Sequence, residues 1–436
     1  MLLNYDLNIP TKVEFKYFAY FLLLEIISAA LAWLNPIFFL LPFLPVIGLF
    51  FFYSTFIKDP FFWIIIMLIG SGLESWGIVF GGITVFHIGW FLLILSTPLY
   101  LLFNPTNKIT KFSPINIYVI SFIVLALISL VYSPNKVAGL IQLSTTVALF
   151  IFFILYLNFV TSQKRISLVL ITLALINILL SLLTFYQLLF ENVLYIGRAT
   201  VTSESGEKIW RASGTFEDPN VTAIFLMIGF IYAIAMLLNL KGNFSARLFY
   251  GIASIISGVG IIATFSRSAW IACFVGIIVT LALNRNKRIL IYSFIGLVVF
   301  FLVFILFTPY GEFITFRIFS IFDVMEDPSI RTRLALINSG FAMFIDNPFL
   351  GIGFRGFPIL YDLYLDPIVP WFLIHVKESH TLIITLLAEL GVAGLIVVIL
   401  WFRRVFIDSH KLIKTTTNNF YSAVLLVHLQ TFSHLM

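Results

Sequence analysis

Two arginines and a histidine have side chains suited to chemistry on a phosphorylated substrate. Arg211 begins a run that reads Arg-Ala-Ser-Gly-Thr-Phe-Glu-Asp-Pro-Asn, Arg267 lies in a short Ser-Arg-Ser turn, and His380 ends a Glu-Ser-His run. A guanidinium group can bind phosphate oxygens with two hydrogen bonds at once. A histidine, whose pKa is ordinarily about 6.5, can accept the proton of a hydroxyl group. The three residues would therefore suit departure of a phosphate leaving group and activation of an acceptor hydroxyl.

Residues 309–380 contain the secondary candidates Arg331, Arg333, Arg355 and Glu378. The pair Asp327-Pro328 is typical of a helix start. Apolar residues then recur at helical spacing, which predicts an amphipathic helix along the membrane interface that ends at Asn347-Pro348; they are Ile330, Leu334, Ile337, Phe341 and Phe344. Arg355 follows in a glycine-rich turn, and Glu378 precedes the histidine.

Each main candidate also has a structural interpretation. Arg211 could lie in a solvated loop before a helix capped near Asp218, and Arg267 could extend towards lipid phosphates. His380 could be a hydrogen-bonded residue at the interface. The position of Arg267 in a short turn, on the side of the membrane where basic residues are few, favours the functional interpretation.

The elements that must position these residues are apolar runs long enough to cross a membrane. Hydrophobic residues make up 61% of the 436 residues and charged residues 11%, and a crossing needs about 20 apolar residues. About thirteen such runs occur, at 17–34, 36–57, 61–76, 78–103, 115–132, 139–160, 166–190, 221–240, 248–265, 268–284, 289–308, 381–401 and 421–436. The predicted fold is an all-α integral membrane protein with about 12–13 transmembrane helices and one large extracytoplasmic loop.

The order of the apolar runs and the loops between them divides the chain into four predicted regions. An N-terminal transmembrane bundle occupies 1–190, and a transmembrane core with the outer loop 191–220 occupies 191–308. The large loop occupies 309–380, and further spans occupy 381–436. The last run reaches Met436 without a polar tail, which favours an incomplete or unusually ended C-terminal region.

The positions of the basic residues predict the orientation. With a cytoplasmic N-terminus, the cytoplasmic segments contain 16 of the 26 lysines and arginines, mostly in short loops, as the positive-inside rule requires. Eight of the others lie in 191–220 and 309–380, where loop length weakens the rule. The candidate residues are therefore expected outside the cytoplasm.

Composition also excludes several classes of protein. The net charge of +6 follows the membrane topology and forms no basic soluble face, so no nucleic-acid partner is expected. The one cysteine, Cys273, excludes an internal disulfide. No cluster with metal-ligand spacing occurs on the outer side, where Glu217-Asp218 is more typical of a helix cap. We therefore expect neither a metal nor another cofactor.

Four ionisable residues in or beside the spans are interpreted as packing or helix–helix polar contacts; they are Glu25, Glu74, His87 and Glu389.

A synthetic reaction outside the cytoplasm has no supply of ATP, so the donor itself must carry the driving force. A sugar on a polyprenyl diphosphate meets this requirement, because the lipid diphosphate is a good leaving group. The predicted partners are therefore a lipid-linked glycan donor, a glycan or lipid-anchored sugar acceptor, and the membrane lipids.

Four motifs in order resemble those of the O-antigen ligase/polymerase superfamily. They are Arg-x-x-Gly-Thr-Phe-x-Asp-Pro-Asn (211–220), Ser-Arg-Ser (266–268), Asn-Pro-Phe-Leu-Gly-Ile-Gly (347–353) and Ser-His-Thr followed after six residues by Ala-Glu-Leu-Gly (379–391). The resemblance covers about residues 200–400. Thr381 departs from the family pattern, in which asparagine often follows the histidine.

The resemblance implies a membrane glycosyltransferase with a GT-C-like architecture in the bacterial cytoplasmic membrane. It implies a metal-independent, inverting transfer of a glycan from undecaprenyl diphosphate to a sugar hydroxyl. Arg211 and Arg267 would hold the diphosphate, and His380 would activate the acceptor. Whether the enzyme is a ligase or a polymerase stays open at this point.

Two other classes of protein fit the sequence less well than a glycosyltransferase. A transporter or flippase would need ionisable residues along a path across the bilayer, and the predicted spans contain few. A purely structural scaffold leaves the positions of Arg267 and His380 unexplained.

Overall fold

The computed structural model describes the chain over residues 59–73, 78–80, 83–103, 109, 113–190, 200–202, 208–239, 244–283, 295, 306, 310–319, 328–364 and 381–415. Over these residues the fold is mainly helical, as the hydropathy pattern predicts. The predicted spans 17–34, 36–57, 289–308 and 421–436 lie wholly or almost wholly outside the described residues.

The chain divides into two compact units. The first comprises residues 1–70 and 77–108, and the second comprises residues 71–76 and 109–436. The first contains most of helix α1 (Phe61–Leu73), the antiparallel strands β1 (Ile78–Phe80) and β2 (Ile83–Thr84), and helix α2 (Val85–Phe103).

The second unit contains the remaining elements. The helices are α3 (Asn116–Leu130), α4 (Lys136–Phe159), α5 (Gln163–Leu189), α6 (Pro219–Asn239), α7 (Phe244–Ala263), α8 (Arg267–Leu283), α9 (Gly311–Phe319), α10 (Pro328–Asp346), α11 (Phe357–Leu360) and α12 (Leu382–Thr415). A second antiparallel pair, β3 (Thr200–Thr202) and β4 (Lys208–Trp210), precedes α6, and a 3-10 turn, Tyr361–Leu363, follows α11.

Six of the described helices are long and apolar enough to cross a membrane; they are α2, α4, α5, α6, α7 and α12. Helices α1 and α3, and the Arg267–Ile277 part of α8, are apolar but shorter. The chain is therefore an all-α integral membrane protein, and the two short strand pairs lie in connections. The predicted single run 78–103 differs from the structure, because β1 and β2 precede the helix that starts at Val85.

Helix α6 lies at the centre of the second unit, packed between α5, α7 and α8. Small residues permit close packing here. A Cβ atom on Gly229 of α6 would lie 2.1 Å from Asn177 Cγ, and one on Gly260 of α7 would lie 2.7 Å from Ser181 Oγ. Close approach at small residues is a common way for membrane helices to associate.

Helix α10 confirms the helix predicted between Asp327-Pro328 and Asn347-Pro348. The face that packs on α12 is not the predicted apolar stripe, because Leu334 and Phe341 of that stripe are exposed. The packed face contains Leu336 and Met343, with the small residue Gly340 allowing close contact with Ile384. Helix α10 therefore has apolar residues on two faces.

Helix α12 changes direction at Gly391, whose φ of 62° and ψ of −161° are non-helical. A loop approaches the helix at this point, because a Cβ atom on Gly391 would lie 2.4 Å from the carbonyl carbon of Phe349. Two loop glycines have positive φ, one beside the same helix and one beside the connection between α3 and α4. They are Gly351 (φ 69°), next to Glu389, and Gly353 (φ 105°), next to Ser133. Glycine is required where backbones approach so closely.

The first prediction concerns this kink. We expect Gly391→Ala to lower the melting midpoint of the purified protein in detergent by several degrees, because a left-handed conformation costs about 1–3 kcal/mol and the new Cβ meets the loop backbone. Thermal unfolding followed by intrinsic fluorescence measures this change. Gly251→Ala is the matched control, since its Cβ would find the nearest atom at 3.7 Å. Equal midpoints for the two variants would contradict the packing described.

Candidate functional site

The loop that follows β4 and the turn between α7 and α8 are joined by a backbone hydrogen bond. The Ala212 N–H donates to the Ala263 carbonyl at 3.3 Å. Phe265, at the tip of the turn, is buried and has a φ of 51°, which is unusual for a residue other than glycine. Two of the four sequence motifs therefore lie side by side.

The Arg211 side chain links the turn to the start of α6. It is only 8% exposed. Its Nε donates to the Thr264 carbonyl at 2.9 Å, and its Nη2 donates to Asn220 Oδ1 at 2.9 Å. A buried guanidinium group needs such partners, because burial of an unpaired charge is costly.

The Asn220 amide oxygen joins the heads of two helices. Besides the Arg211 bond, it accepts a hydrogen bond from Ser266 Oγ at 3.0 Å. Ser266 Oγ also lies 3.2 Å from Ser268 Oγ. Asn220 is the second residue of α6 and Ser266 immediately precedes α8, so the N-termini of α6 and α8 meet beside Arg211.

Arg267, the first residue of α8, is partly exposed at this junction. The N-terminus of a helix carries partial positive charge and unpaired N–H groups, which favour anions. Two such ends, with Arg211 between them and Arg267 beside them, make this part of the protein electropositive. The arrangement suits a phosphate or diphosphate group.

Asp218 has the capping role that the sequence favoured. Its Oδ1 accepts a hydrogen bond from the Asn220 N–H at 2.7 Å. The Thr222 hydroxyl donates to the carbonyl of Ser213 and, at 3.3 Å, to that of Asp218. The first turn of α6 is therefore fixed to the loop that carries Arg211.

Gln187 is a site residue that sequence reasoning missed. It lies near the end of α5 and is fully buried. Its Oε1 accepts the N–H groups of Ser213, at 3.1 Å, and Gly214, at 2.7 Å, while its Nε2 donates to the Gly214 carbonyl at 2.9 Å. The amide thus holds the loop backbone two residues after Arg211. A polar residue in an apolar helix was the available signal.

The structure places the remaining candidates as follows. Arg331 and Arg333 both lie in α10, and the side chain of Arg333 is exposed. Arg355 is partly exposed with a φ of 60°. Glu378 and His380 lie outside the described residues, and α12 begins at Leu382.

Tyr364 and Asp346 connect the end of α10 to the segment after α11. The Tyr364 hydroxyl donates to Asp346 Oδ2 at 2.8 Å. This hydrogen bond raises the pKa of Tyr364, because ionisation would remove the proton that it shares and place a negative charge beside the carboxylate.

Glu389 makes a different contact from the one expected. It is buried, at 2% exposure, on α12. Its Oε2 accepts the Arg355 N–H at 2.9 Å and its Oε1 accepts the Phe357 N–H at 3.2 Å. The carboxylate therefore binds the backbone of a loop, a contact that the sequence does not predict.

Within the described part of the chain, no three His, Cys, Asp or Glu side chains lie together as metal ligands. The two arginine-containing segments at 211 and 267 are brought together by Asn220.

Residues 252–399 match the family described as O-antigen ligase. This match agrees with the resemblance to the O-antigen ligase/polymerase superfamily that the sequence motifs carry. The matched segment is about a third of the chain and includes Arg267, Arg355, His380 and Glu389. Arg211 and Gln187 precede it. No curated protein matches the chain.

The family match of residues 252–399 supports ligase- or polymerase-type glycosyl transfer in general and lipid-linked glycans as substrates in general. With the six apolar helices, it indicates a multi-pass membrane protein.

The second prediction tests the Gln187 contact. Gln187→Glu replaces the Nε2 donor by an oxygen that faces the Gly214 carbonyl oxygen. Two buried acceptors without a donor between them lower the free energy of unfolding by about 1–3 kcal/mol. We expect a lower melting midpoint and faster hydrogen exchange of the peptide around Ser213. Gln163→Glu, at the first position of the same helix, is the matched control, because a carboxylate there is favourable. Unchanged exchange around Ser213 in Gln187→Glu would contradict the contact.

Proposed function

We propose that the protein transfers a glycan from undecaprenyl diphosphate to a sugar hydroxyl on the outer side of the bacterial cytoplasmic membrane. The N-terminus would be cytoplasmic. The observation that carries the proposal is the meeting of two helix N-termini beside the buried Arg211, with Arg267 at the head of α8. The match of residues 252–399 to the O-antigen ligase family supports the same reaction class.

In the proposed reaction, the diphosphate of the donor binds at the junction of α6 and α8. The bond between the sugar C1 and the diphosphate oxygen breaks, and its electron pair leaves with undecaprenyl diphosphate. Arg211, Arg267 and the helix N-termini stabilise the negative charge that develops there. The two hydrogen bonds of Arg211 to Thr264 and Asn220 hold its guanidinium group in place before the substrate arrives.

The acceptor hydroxyl forms the new bond to C1 from the opposite face, so the configuration at C1 inverts. His380 takes the hydroxyl proton as a general base. Its place next to the start of α12 would hold it on a rigid element. Arg331, Arg333, Arg355 and Glu378 remain secondary candidates for contacts with the glycans.

The third prediction concerns the arginine at the head of α8. We expect Arg267→Ala to lower kcat by about 10²–10³-fold, because one preorganised donor to a developing charge is worth that much. Transfer of a labelled lipid-linked oligosaccharide by purified protein in liposomes measures the rate. Arg247→Ala is the control, since Arg247 is exposed in the first turn of α7, at the end far from this turn. An equal rate in the two variants would contradict the assignment.

The fourth prediction concerns the general base and the metal. We expect His380→Ala to lower kcat by about 10²–10⁴-fold. We also expect EDTA to leave the wild-type rate unchanged, because arginines rather than a divalent ion would absorb the charge of the leaving group. Recovery of activity only after addition of a divalent ion would contradict the metal-independent mechanism.

A further inference from the structure

Residues 348–357 are built into the hydrogen-bond ladder of α12. At the Gly391 kink, the Ala388 and Glu389 carbonyls accept the N–H groups of Ile352, at 2.8 Å, and Gly353, at 3.1 Å. The Val392 and Ala393 N–H groups donate to the carbonyls of Pro348, at 2.9 Å, and Phe349, at 3.3 Å. In a regular helix, residues 392 and 393 would bond to residues 388 and 389. The loop thus takes the place of two helical hydrogen bonds.

Every backbone N–H from residue 351 to residue 357 has a protein partner. Four donate to backbone carbonyls. Ile352 and Gly353 bond to α12 as described, Gly351 bonds to Asn347, and Gly356 bonds to Gly353. Phe354 donates to Ser129 Oγ on α3 at 2.6 Å. Arg355 and Phe357 donate to the two carboxylate oxygens of Glu389. The Glu389 side chain therefore satisfies the N–H groups on either side of Gly356.

The backbone at Arg355 is held in an unfavourable conformation. A φ of 60° for a non-glycine residue costs about 1–2 kcal/mol, and such residues persist where surrounding contacts fix them, often at functional sites. The contact that fixes this one is the hydrogen bond from its own N–H to Glu389 Oε2. The backbone conformation of a residue determines the direction in which its side chain leaves the chain.

We propose that Glu389 is a positioning residue of the transfer site, which fixes the direction of Arg355 relative to the helix that His380 precedes. The proposal rests on the proposed function. It adds a role for a buried carboxylate within the membrane-spanning helix and makes Arg355 the residue through which that carboxylate acts. Arg355 would contact the glycan, whereas the donor diphosphate is held by Arg211 and Arg267.

The test compares Glu389→Gln with Glu312→Gln, in which an exposed glutamate of α9 loses the same charge. A glutamine can accept one of the two N–H groups, but its NH₂ group opposes the other. Hydrogen exchange of the 351–357 peptide should therefore rise in Glu389→Gln and stay at the wild-type rate in Glu312→Gln. This readout needs no catalysis. Unchanged exchange in Glu389→Gln would overturn the carboxylate contact.

Kinetics on the folded fraction of each variant test the positioning role. We expect kcat of Glu389→Gln to fall by up to about 10²-fold, since a displacement of about 1 Å can cost that much, with the KM for the donor unchanged. Arg355→Ala should show a comparable fall, and Glu389→Gln added to it should cost little more, because the two residues act as a unit.

Four outcomes would each contradict either the positioning role or the proposed function. Faster exchange with an unchanged kcat would mean that the contact is structural and would overturn the positioning role. A rise in donor KM without a fall in kcat, or additive losses in the double variant, would also overturn it. No transfer by the wild-type protein would overturn the proposed function, while the exchange measurement would still decide whether Glu389 holds the loop.

Discussion

Pairing of buried side chains with loop backbone is the interaction on which the described site depends. A chain this apolar has little water within it to satisfy irregular backbone, so protein groups must do so. Arg211, Gln187 and Glu389 are all buried, and each bonds to backbone atoms of a connecting segment. Each brings a loop that follows or precedes a helix into a fixed position. Loss of one such group leaves buried polar atoms unpaired, which is costlier than loss of an exposed contact.

The same pairing explains how the electropositive junction is assembled. The loop after β4 and the turn after α7 are far apart in sequence, and neither has regular structure of its own. Arg211 bonds to the turn, Asn220 bonds to both Arg211 and Ser266, and Gln187 fixes the loop from α5. The N-termini of α6 and α8 are thereby held side by side. Rigid placement before the substrate binds is what makes fixed charges effective in catalysis.

Hydropathy predicts the membrane-spanning helices, and residues typical of helix ends predict the bounds of α10. The apolar runs locate the described spans, and the Asp327-Pro328 and Asn347-Pro348 pairs locate α10 closely. The sequence predicts a turn at the glycine-rich segment but not the hydrogen bonds that join this segment to α12. That arrangement depends on backbone contacts between residues about 40 positions apart in sequence, and single-sequence periodicity carries no information on them. For the same reason, the sequence shows Gln187 and Glu389 as polar residues in apolar helices but does not identify their hydrogen-bond partners. The candidates Arg211 and Arg267 could be named from residue type and order, but their common partner Asn220 could not.

The stoichiometry of the reaction distinguishes glycosyl transfer from transport of the donor. Purified protein in liposomes would receive an undecaprenyl-diphosphate oligosaccharide as the sole source of energy, with and without a separate sugar acceptor. Glycosyl transfer predicts the release of one undecaprenyl diphosphate for each glycosidic bond formed. A ladder of products spaced by one repeat unit would indicate a polymerase, and a single product that requires the added acceptor would indicate a ligase. Movement of the intact donor across the bilayer, with no release of undecaprenyl diphosphate, would contradict glycosyl transfer and indicate a transporter.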